Sequence, residues 1–395
     1  MATIQVENLF KLFGPRKKME AAIELVGEGL AQKDILDRTG CTVAVSDISF
    51  TVEGPEIFVI MGLSGSGKST LLRCINRLIE PTRGRVVIDD EDVLAMDHKA
   101  ILKLREKKTA MVFQHFGLLS HKNVLDNVAF GLELQEMPRK ERETKARETL
   151  EQVGLADYAE AAVGELSGGM QQRVGLARAL ATEADILLMD EAFSALDPLI
   201  RSEMQADFLE FQAEMPKTIL FITHDLSEAL MLGDRIAILK DGALMQVGGP
   251  EEIVLHPDGD YVESFVENVD RSRVLTAATI GVEPLAVTLD DSLEAALSAM
   301  EDRERSFLFV TEDGRMKGVV RLEDAREEAG SENPRIQNIL QPSPEGVKSD
   351  ARLITVIEKA AATRMPLPVV DDDGRLQSMV PRDVLLRAVA GGASQ

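Results

Sequence analysis

Cysteine, long apolar runs and a targeting segment are scarce or missing in this sequence. Only two cysteines, Cys41 and Cys74, occur in 395 residues, so no disulfide framework is expected and a reducing cytosol is the predicted compartment. The apolar runs have the length of strands, well short of the roughly 18 residues that a membrane-spanning helix requires. No basic segment followed by an apolar one opens the chain, so no secretion signal is expected.

Positive charge is also scarce. Lysine and arginine number 44 against 67 aspartates and glutamates, which gives a formal net charge of −23. A duplex nucleic acid would favour a basic surface, and acidic lipid headgroups would repel an acidic one. We therefore expect no nucleic-acid partner, and we expect any membrane association to be a local dock onto another protein.

A glycine-rich stretch gives the first chemical signal. The apolar run Ile57–Met61 leads into a G-x-x-x-x-G-K-S sequence and then into a helix-like apolar pattern. Glycines let backbone N–H groups turn toward phosphate oxygens, and the N-terminus of the following helix adds partial positive charge. Lys68 is expected to reach the outer phosphates, and the Ser69 hydroxyl is expected to ligate Mg²⁺. The predicted nucleotide contacts are Gly62, Ser64, Gly65, Ser66, Gly67, Lys68, Ser69 and Thr70.

Two acids follow a second buried-type strand. Ile186–Met189 is wholly apolar and is followed directly by Asp190 and Glu191. Ligands of parallel sheets lie at the carboxyl ends of the strands. Asp190 is therefore predicted to hold Mg²⁺, and Glu191 is predicted to act as general base toward the attacking water, a role that typically contributes about 10²–10⁴-fold. An acidic helix cap is the alternative interpretation.

A third motif points to a family. The run Leu166-Ser-Gly-Gly-Met-Gln-Gln-Arg173 resembles the signature sequence of ATP-binding cassette (ABC) ATPases. In that family the signature caps the γ-phosphate that is held by the phosphate loop of the other protomer. The resemblance therefore implies nucleotide contacts from Ser167, Gly168 and Gly169.

Further family motifs occur in the expected order, and the resemblance runs from residue 1 to about 250. It implies that Gln114 senses Mg²⁺ and connects to membrane subunits. It implies that Asp197 in the run Ser194–Asp197 lies in a loop that crosses between protomers, and that His224 contacts the γ-phosphate. The implied catalytic residues are Glu191, His224 and Gln114, and the implied Mg²⁺ ligands are Ser69, Gln114 and Asp190.

Within the family, the sequence looks most like the ATPase subunit of importers for glycine betaine, proline betaine and related quaternary amines. The stretches that carry this likeness are Ile57–Ser69, Asn76–Gly84 and Met189–Arg201. The likeness implies an ATP- and Mg²⁺-dependent homodimer that docks onto integral-membrane permease subunits and meets a substrate-binding protein only through them. The implied location is the cytoplasmic face of the inner membrane.

The expected fold is α/β. It comprises a P-loop NTPase domain of the ABC type over residues 1–270, with a helical insertion at about 16–38 and a helical subdomain at about 115–180. Strands alternating with helices predict a largely parallel sheet covered on both faces. A smaller α+β domain is expected over residues 274–395.

The C-terminal third contains an internal repeat. Residues 306–320 echo residues 366–380, each as a strand, an Asp-Gly-Arg turn and a second strand, with an amphipathic helix before each. The two copies, at about 276–330 and 335–390, resemble a tandem pair of cystathionine-β-synthase-type (CBS) regulatory domains. The hydroxyl residue of that family's adenosine-binding pattern is missing near Gly318 and Asp324, so a structural role and nucleotide sensing both stay open.

Several alternatives also stay open. The cargo could be choline, trimethylamine N-oxide, an amino acid or another small solute. A non-transport ABC protein acting on DNA or ribosomes is disfavoured, because the chain has one cassette and no long coiled coil. A nucleotide-sensing module without hydrolysis is disfavoured by Asp190, Glu191 and His224. The residue expected to stack on adenine aligns with Thr39, which cannot stack, and Phe10 or Phe13 are the candidates to replace it.

Overall fold

The computed structural model of the chain describes residues 2–114, 116–194 and 196–390. The chain divides into two units, residues 1–267 and 268–395. Ala195 of the predicted crossing loop, and residues 391–395 of the predicted C-terminal domain, lie outside the described residues.

The first unit alternates strands and helices. Its strands are β1 (Thr3–Phe13), β2 (Thr42–Glu53), β3 (Ile57–Met61), β4 (Arg83–Ile88), β5 (Glu91–Asp92), β6 (Thr109–Val112), β7 (Ile186–Asp190), β8 (Thr218–Thr223), β9 (Arg235–Lys240) and β10 (Ala243–Gly248). Its helices are α1 (Met19–Gly27), α2 (Gln32–Thr39), α3 (Lys68–Ile75), α4 (His98–Lys107), α5 (Val124–Val128), α6 (Phe130–Leu134), α7 (Arg139–Gln152), α8 (Gly168–Ala181), α9 (Pro198–Glu214), α10 (Leu226–Leu232), α11 (Pro250–Leu255) and α12 (Gly259–Val266).

The six-stranded sheet of this unit determines where the polar residues meet. Its strand order is β10-β9-β3-β8-β7-β6, and every neighbouring pair from β9 to β6 is parallel. The strands β3, β7 and β8 are fully buried, as their unbroken apolar sequences predict. Because these strands are parallel, the segments that follow β3, β6, β7 and β8 all emerge at the same edge of the sheet.

A second sheet was not predicted from the sequence. Strands β2, β1, β4 and β5 form it in that order, and their pairings are antiparallel. Its apolar face packs with helix α3 and with alternate residues of the parallel sheet, such as Phe58 and Ile60, in one core. The alternation in β1 and β2 indicates half-buried strands, but it does not reveal which strand pairs with which.

Two helical regions extend this unit. Helices α1 and α2 form the predicted insertion and cover a small core that includes Phe10, Leu12 and Cys41. Helices α5, α6, α7 and α8 share a separate core that includes Leu132, Leu150 and Val174. Both cysteines are buried and unpaired, and burial raises the pKa of the Cys74 thiol to about 12. The Cys74 thiol is therefore a packed group of low reactivity.

Three element boundaries fix where the site residues lie. Helix α3, after the phosphate loop, ends at Ile75, because Asn76 accepts a hydrogen bond from the Leu78 N–H (3.1 Å) and Arg77 adopts a left-handed φ of 54°. Strand β6 ends at Val112, so Gln114 lies in the turn beyond it. Strand β7 runs from Ile186 to Asp190, so Glu191 follows it directly.

The second unit contains the predicted repeat. Its helices are α13 (Ala277–Ile280), α14 (Leu293–Asp302), α15 (Leu322–Glu328), α16 (Leu353–Ala361) and α17 (Arg382–Ala390), and its strands are β11 (Ala286–Thr288), β12 (Phe307–Glu312), β13 (Arg315–Arg321), β14 (Val347–Lys348), β15 (Leu367–Val370) and β16 (Leu376–Val380). Each copy has a three-stranded sheet in which the first pair is parallel and the second is antiparallel.

The two copies exchange edge contacts. Val282, ahead of the first sheet, pairs with Met379 of the second copy, and Gln341, ahead of the second sheet, pairs with Val319 of the first. Phe309, Val319 and Met379 form a shared apolar cluster. The repeat therefore folds as one interlocked pair. None of the helices in the described ranges of either unit is both long and apolar enough to cross a membrane.

Candidate active site

The phosphate loop joins β3 to α3 in the predicted manner. Gly67, directly before the helix, has a φ of 95°, and a Cβ there would lie 2.1 Å from the Ala44 carbonyl oxygen. Only glycine fits a position with that conformation and so close a neighbour. The hydroxyl oxygen of Ser66 is buried and has no hydrogen-bond partner. Buried polar groups normally have a hydrogen-bond partner, so an unpartnered hydroxyl inside an anion-binding loop is consistent with a site for an oxygen-rich ligand.

Lys68 begins α3 and is only 4% exposed. Its ammonium group donates to the carbonyl oxygens of Gly62 (2.9 Å) and Leu63 (3.0 Å), so the side chain folds back over the loop. Burial lowers the pKa of the Lys68 ammonium from its ordinary value, and the nearby carboxylates of Glu191 and Asp190 oppose that shift. A buried cation above a ring of backbone N–H groups can hold a phosphate.

Asp190 connects the end of β7 to helix α3. Its carboxylate accepts from the Ser69 hydroxyl (2.6 Å) and from the Arg73 guanidinium (3.1 Å), and the residue is 1% exposed. The structure thus brings together the hydroxyl and the carboxylate that were predicted to share Mg²⁺. Among the described residues, no group of three or more His, Cys, Asp or Glu side chains could hold a metal by itself. The pair therefore has to be completed by other oxygen ligands, as substrate phosphates complete most Mg²⁺ sites.

Glu191 lies where three strands end. The Gln114 amide donates to its carboxylate (3.0 Å), and Nδ1 of His224 lies 3.3 Å from the same oxygen, Oε2. Glu191 has a φ of 48°, in the left-handed region that non-glycine residues rarely adopt. Its N–H donates to the carbonyl of Ile222, and its own carbonyl accepts from the Ser194 hydroxyl, so both sides of the strained residue are held. Such strain is typical of functional sites.

These residues surround one cleft of about 650 Å³. The predicted residues that line it are Ser64, Gly65, Gly67, Lys68, Ser69, Thr70, Gln114, Glu191 and His224, and Gln32, Thr42, Val43, Ala44 and Leu63 line it as well. Gly62, Ser66 and Asp190 are not in the lining. Each of them is next to a residue of the lining. The Gly62 carbonyl accepts from Lys68, and the Asp190 carboxylate accepts from Ser69. Ser66 lies in the loop between Gly65 and Gly67.

The signature residues lie elsewhere. Ser167, Gly168, Gly169 and Asp197 line a different cavity of about 550 Å³, together with Tyr158 and Arg173 among others. Ser167 caps α8 by accepting from the Met170 N–H (3.3 Å), and Asp197 caps α9 by accepting from the N–H groups of Leu199 and Ile200. Within one chain the predicted nucleotide contacts are therefore divided between two separate pockets.

The expected position next to adenine needs correction. Thr39 is 5% exposed at the end of α2, where its hydroxyl donates to the Ile35 carbonyl, and it does not line the cleft. Phe10 is buried in the core under the insertion. Phe13 is 46% exposed and pairs across β1 and β2 with Thr42, which does line the cleft. Of the three candidates, Phe13 alone has an exposed ring and neighbours a residue of the lining, although it does not line the cleft itself and the Lys11 ammonium lies 4.7 Å from the centre of its ring.

Three arginines at the site were not predicted. Arg73 holds Asp190, and its position four residues after Ser69 on one helix face was a usable signal. Arg178 donates to the carbonyls of Phe116 (3.0 Å) and Gly117 (2.7 Å), and Arg201 donates to the Leu196 carbonyl and lies 3.8 Å from Asp225. The two Arg178 contacts join residues that are 61 and 62 positions apart, so they leave no trace in sequence spacing.

Comparisons with known proteins agree with this site. The family model for ABC transporters matches residues 45–194, and the model for CBS domains matches residues 279–330. A dimeric post-hydrolysis state of an ATP-binding cassette bound to ADP and Pi is 31% identical with a TM-score of 0.53, and the match covers 62% of this chain and 98% of that one.

Two curated relatives match nearly end to end. The glycine betaine/carnitine transport ATP-binding protein of Listeria monocytogenes is 46% identical over 393 residues, which cover 99% of this chain and 98% of the relative. The glycine betaine/proline betaine transport system ATP-binding protein of Salmonella typhimurium is 45% identical over 391 residues, which cover 98% of this chain and 97% of the relative. The predicted ABC ATPase fold and its CBS domain are confirmed, and this ATPase belongs to the family of glycine betaine-type ABC transporter ATP-binding proteins.

Proposed function

We propose that this chain hydrolyses ATP with Mg²⁺ as a homodimer, docked on permease subunits at the cytoplasmic face of the inner membrane, to drive uptake of glycine betaine or a related quaternary amine. A substrate-binding protein would act on it only through the permease. The observation that carries the proposal is the convergence of Ser69, Asp190, Glu191, Gln114 and His224 on the phosphate-loop cleft. The near full-length relatives named for glycine betaine transport support the cargo class.

Each side chain in the cleft has a role that its position supports. The loop N–H groups and Lys68 bind the phosphates, with the nucleotide displacing the two carbonyls that now accept from Lys68. Glu191 accepts a proton from the attacking water, and Gln114 and His224 fix the orientation of its carboxylate. Ser69, Asp190 and Gln114 would hold Mg²⁺, which when bound neutralises charge that develops on the phosphates.

The two separated pockets support dimer formation. Ser167, Gly168, Gly169 and Asp197 line a cavity of their own, apart from the cleft that contains the phosphate loop. Two copies arranged head to tail would place the signature pocket of each against the cleft of the other. The matched ATP-binding cassette bound to ADP and Pi is itself dimeric. Sandwiched nucleotide would then draw two copies together, and hydrolysis would release them.

The segment after Gln114 has the contacts of a coupling element. Arg178 of α8 holds the carbonyls of Phe116 and Gly117, so this segment is tied to the helix that carries the signature sequence. Gln114 itself is tied to Glu191. A change at the hydrolytic carboxylate can therefore reach a loop that we assign to permease contact.

The nucleoside end of the cleft is assigned to Phe13. Its exposed ring beside Thr42 offers a face for adenine, and loss of one stacking contact typically costs about 1–3 kcal/mol. We assign residues 1–270 to the ATPase domain and residues 274–395 to a tandem CBS-type regulatory domain.

An ATPase assay on the purified chain, followed by an uptake assay, tests this function. The wild type should hydrolyse ATP in the presence of Mg²⁺, and Glu191→Gln should bind ATP while hydrolysing about 10²–10⁴-fold more slowly. Normal turnover by Glu191→Gln would contradict the assignment. In cells that express the chain with its permease and binding protein, uptake of labelled glycine betaine should require active Glu191. Competition by carnitine, choline and trimethylamine N-oxide would rank the cargo, and uptake that does not depend on this chain would refute the transport role.

A further inference from the structure

Gln32 is a polar residue of the helical insertion that reaches the nucleotide cleft. It is the first residue of α2 and lines the cleft with Thr42, Val43 and Ala44. The phosphate loop and the hydrolytic residues account for the rest of the lining. Gln32 and its three strand neighbours are therefore the part of the cleft wall left for the nucleoside.

The amide of Gln32 is fixed in one orientation. Its Nε2 group donates to the carbonyl oxygen of Val43 (3.0 Å) and to that of Asp241, in the turn between β9 and β10. A side-chain amide has two N–H donors, and both are used by main-chain acceptors that cannot donate in return. The amide therefore cannot flip, and no donor from the described residues reaches its Oε1.

A fixed acceptor beside a purine distinguishes its 6-position. Adenine carries an amino donor at this position, whereas guanine and hypoxanthine carry a carbonyl acceptor. An acceptor with no proton of its own can bond to the first and is repelled by the second. A stacking ring such as that of Phe13 contacts the face of the base and does not make this distinction, since every base has a π-face.

We infer that Gln32 is the residue that selects adenine over 6-oxopurines, through its Oε1 atom. This inference rests on the proposed ATP-binding function and adds a specificity determinant to it. It also assigns a function to the helical insertion, because α2 places Gln32 against the carbonyl of Val43 in β2 and that of Asp241 in the turn between β9 and β10.

The test compares ATP with inosine triphosphate, which differs at the 6-position, by calorimetric dissociation constants on the full chain. Wild type should favour ATP, and Gln32→Leu should narrow the ratio of the two constants by about 3- to 10-fold, the value of one hydrogen bond. Gln32→Lys keeps donors for both carbonyls but presents no acceptor, so it should narrow the ratio at least as far or reverse it. Lys33→Leu, on the exposed side of α2, is the matched control and should keep the wild-type ratio.

The ratio does not depend on the fraction of protein that is active, so a partly unfolded variant still gives an answer. Wild-type ratios in both Gln32→Leu and Gln32→Lys would overturn the inference, as would equal affinity of the wild type for the two nucleotides. Hydrolysis is measured separately. If ATP hydrolysis is normal and the ratio of dissociation constants is unchanged in the Gln32 variants, only the role of Gln32 is refuted. If the wild type binds both nucleotides but hydrolyses neither, the proposed function is refuted.

Discussion

The two units of the chain treat polar groups at strand ends in opposite ways. In the first unit, the Ser66 hydroxyl is buried without a partner and Lys68 donates only to loop carbonyls. In the second unit, the Asp324 carboxylate accepts from the Gln341 side chain (2.6 Å), and a Cβ on Gly318 would lie 2.4 Å from the Gln341 carbonyl oxygen. The polar groups of the first unit are therefore free to bind a ligand, whereas those of the second unit are already bonded to the segment around Gln341 that leads into the second copy.

This contrast bears on the role of the C-terminal pair. Gly318 and Asp324 are the positions of the first copy that align with adenosine-binding residues in the family that it resembles. Both are in contact with the segment that leads into the second copy. The contacts favour the structural interpretation for the first copy, in which the same residues lock the repeat together. Three experiments, taken from the largest expected effect to the smallest, can break or sharpen this comparison.

The largest expected difference in ATPase activity is between the variants Asp190→Asn and Asp324→Asn. Asp190 holds Ser69 and Arg73 at the cleft, and weakening that arrangement is expected to lower ATPase activity roughly 100-fold or more. Asp324→Asn makes the same chemical change in the second unit and is expected to leave ATPase activity of the purified chain near the wild-type value. Steady-state phosphate release measures both. Equal losses in the two variants would remove the contrast between the units.

Phe13→Leu is expected to have the next largest effect. Removing the ring beside Thr42 should weaken ATP binding by about 1–3 kcal/mol, or roughly 5- to 150-fold. Phe10→Leu is the matched control, because Phe10 is buried in the insertion core and its loss should lower stability without a comparable loss of affinity. Calorimetric titration with ATP checks the pair, and a greater loss of affinity in Phe10→Leu would reassign the stacking residue.

Gly318→Ala should produce a smaller and purely structural effect. The added methyl would meet the Gln341 carbonyl at 2.4 Å and Leu340 at 2.8 Å, and such overpacking typically costs about 1–3 kcal/mol. Gly330→Ala is the control, since its Cβ would have an ordinary 3.5 Å contact. Scanning calorimetry should show a destabilised second unit in Gly318→Ala with ATPase activity retained. A stable Gly318→Ala protein with lower ATP affinity would instead favour nucleotide sensing in this unit.

Much of the first unit's site could be predicted because its chemistry follows strand ends. Buried strands such as Ile186–Asp190 are recognisable as apolar runs, and parallel pairing brings the residues after them to one edge. The Asp-Gly-Arg turns and preceding helices of the repeat were predictable for the same reason, since turn chemistry and periodicity are local.

Other features depend on contacts between distant segments and could not be predicted. The left-handed φ of Glu191 is fixed by hydrogen bonds to Ile222 and Ser194, and the sequence around it carries no glycine or turn signal for it. The antiparallel sheet depends on pairings of β1 with β4, more than 70 residues away. The choice of Phe13 over Thr39 required the register of β1 against β2, which places Phe13 opposite Thr42.

The proposed head-to-tail dimer, in which two copies share two nucleotides, is tested most directly by the mass of Glu191→Gln in solution. Sedimentation equilibrium with ATP and Mg²⁺ should give about twice the 43.2 kDa of one chain, and ADP should return the single chain. Adding Gly168→Arg, which places a bulky cation in the signature pocket, should abolish the dimer while ATP still binds. A Glu191→Gln protein that stays at one chain mass with ATP and Mg²⁺, alone and with its permease, would contradict the shared nucleotide site.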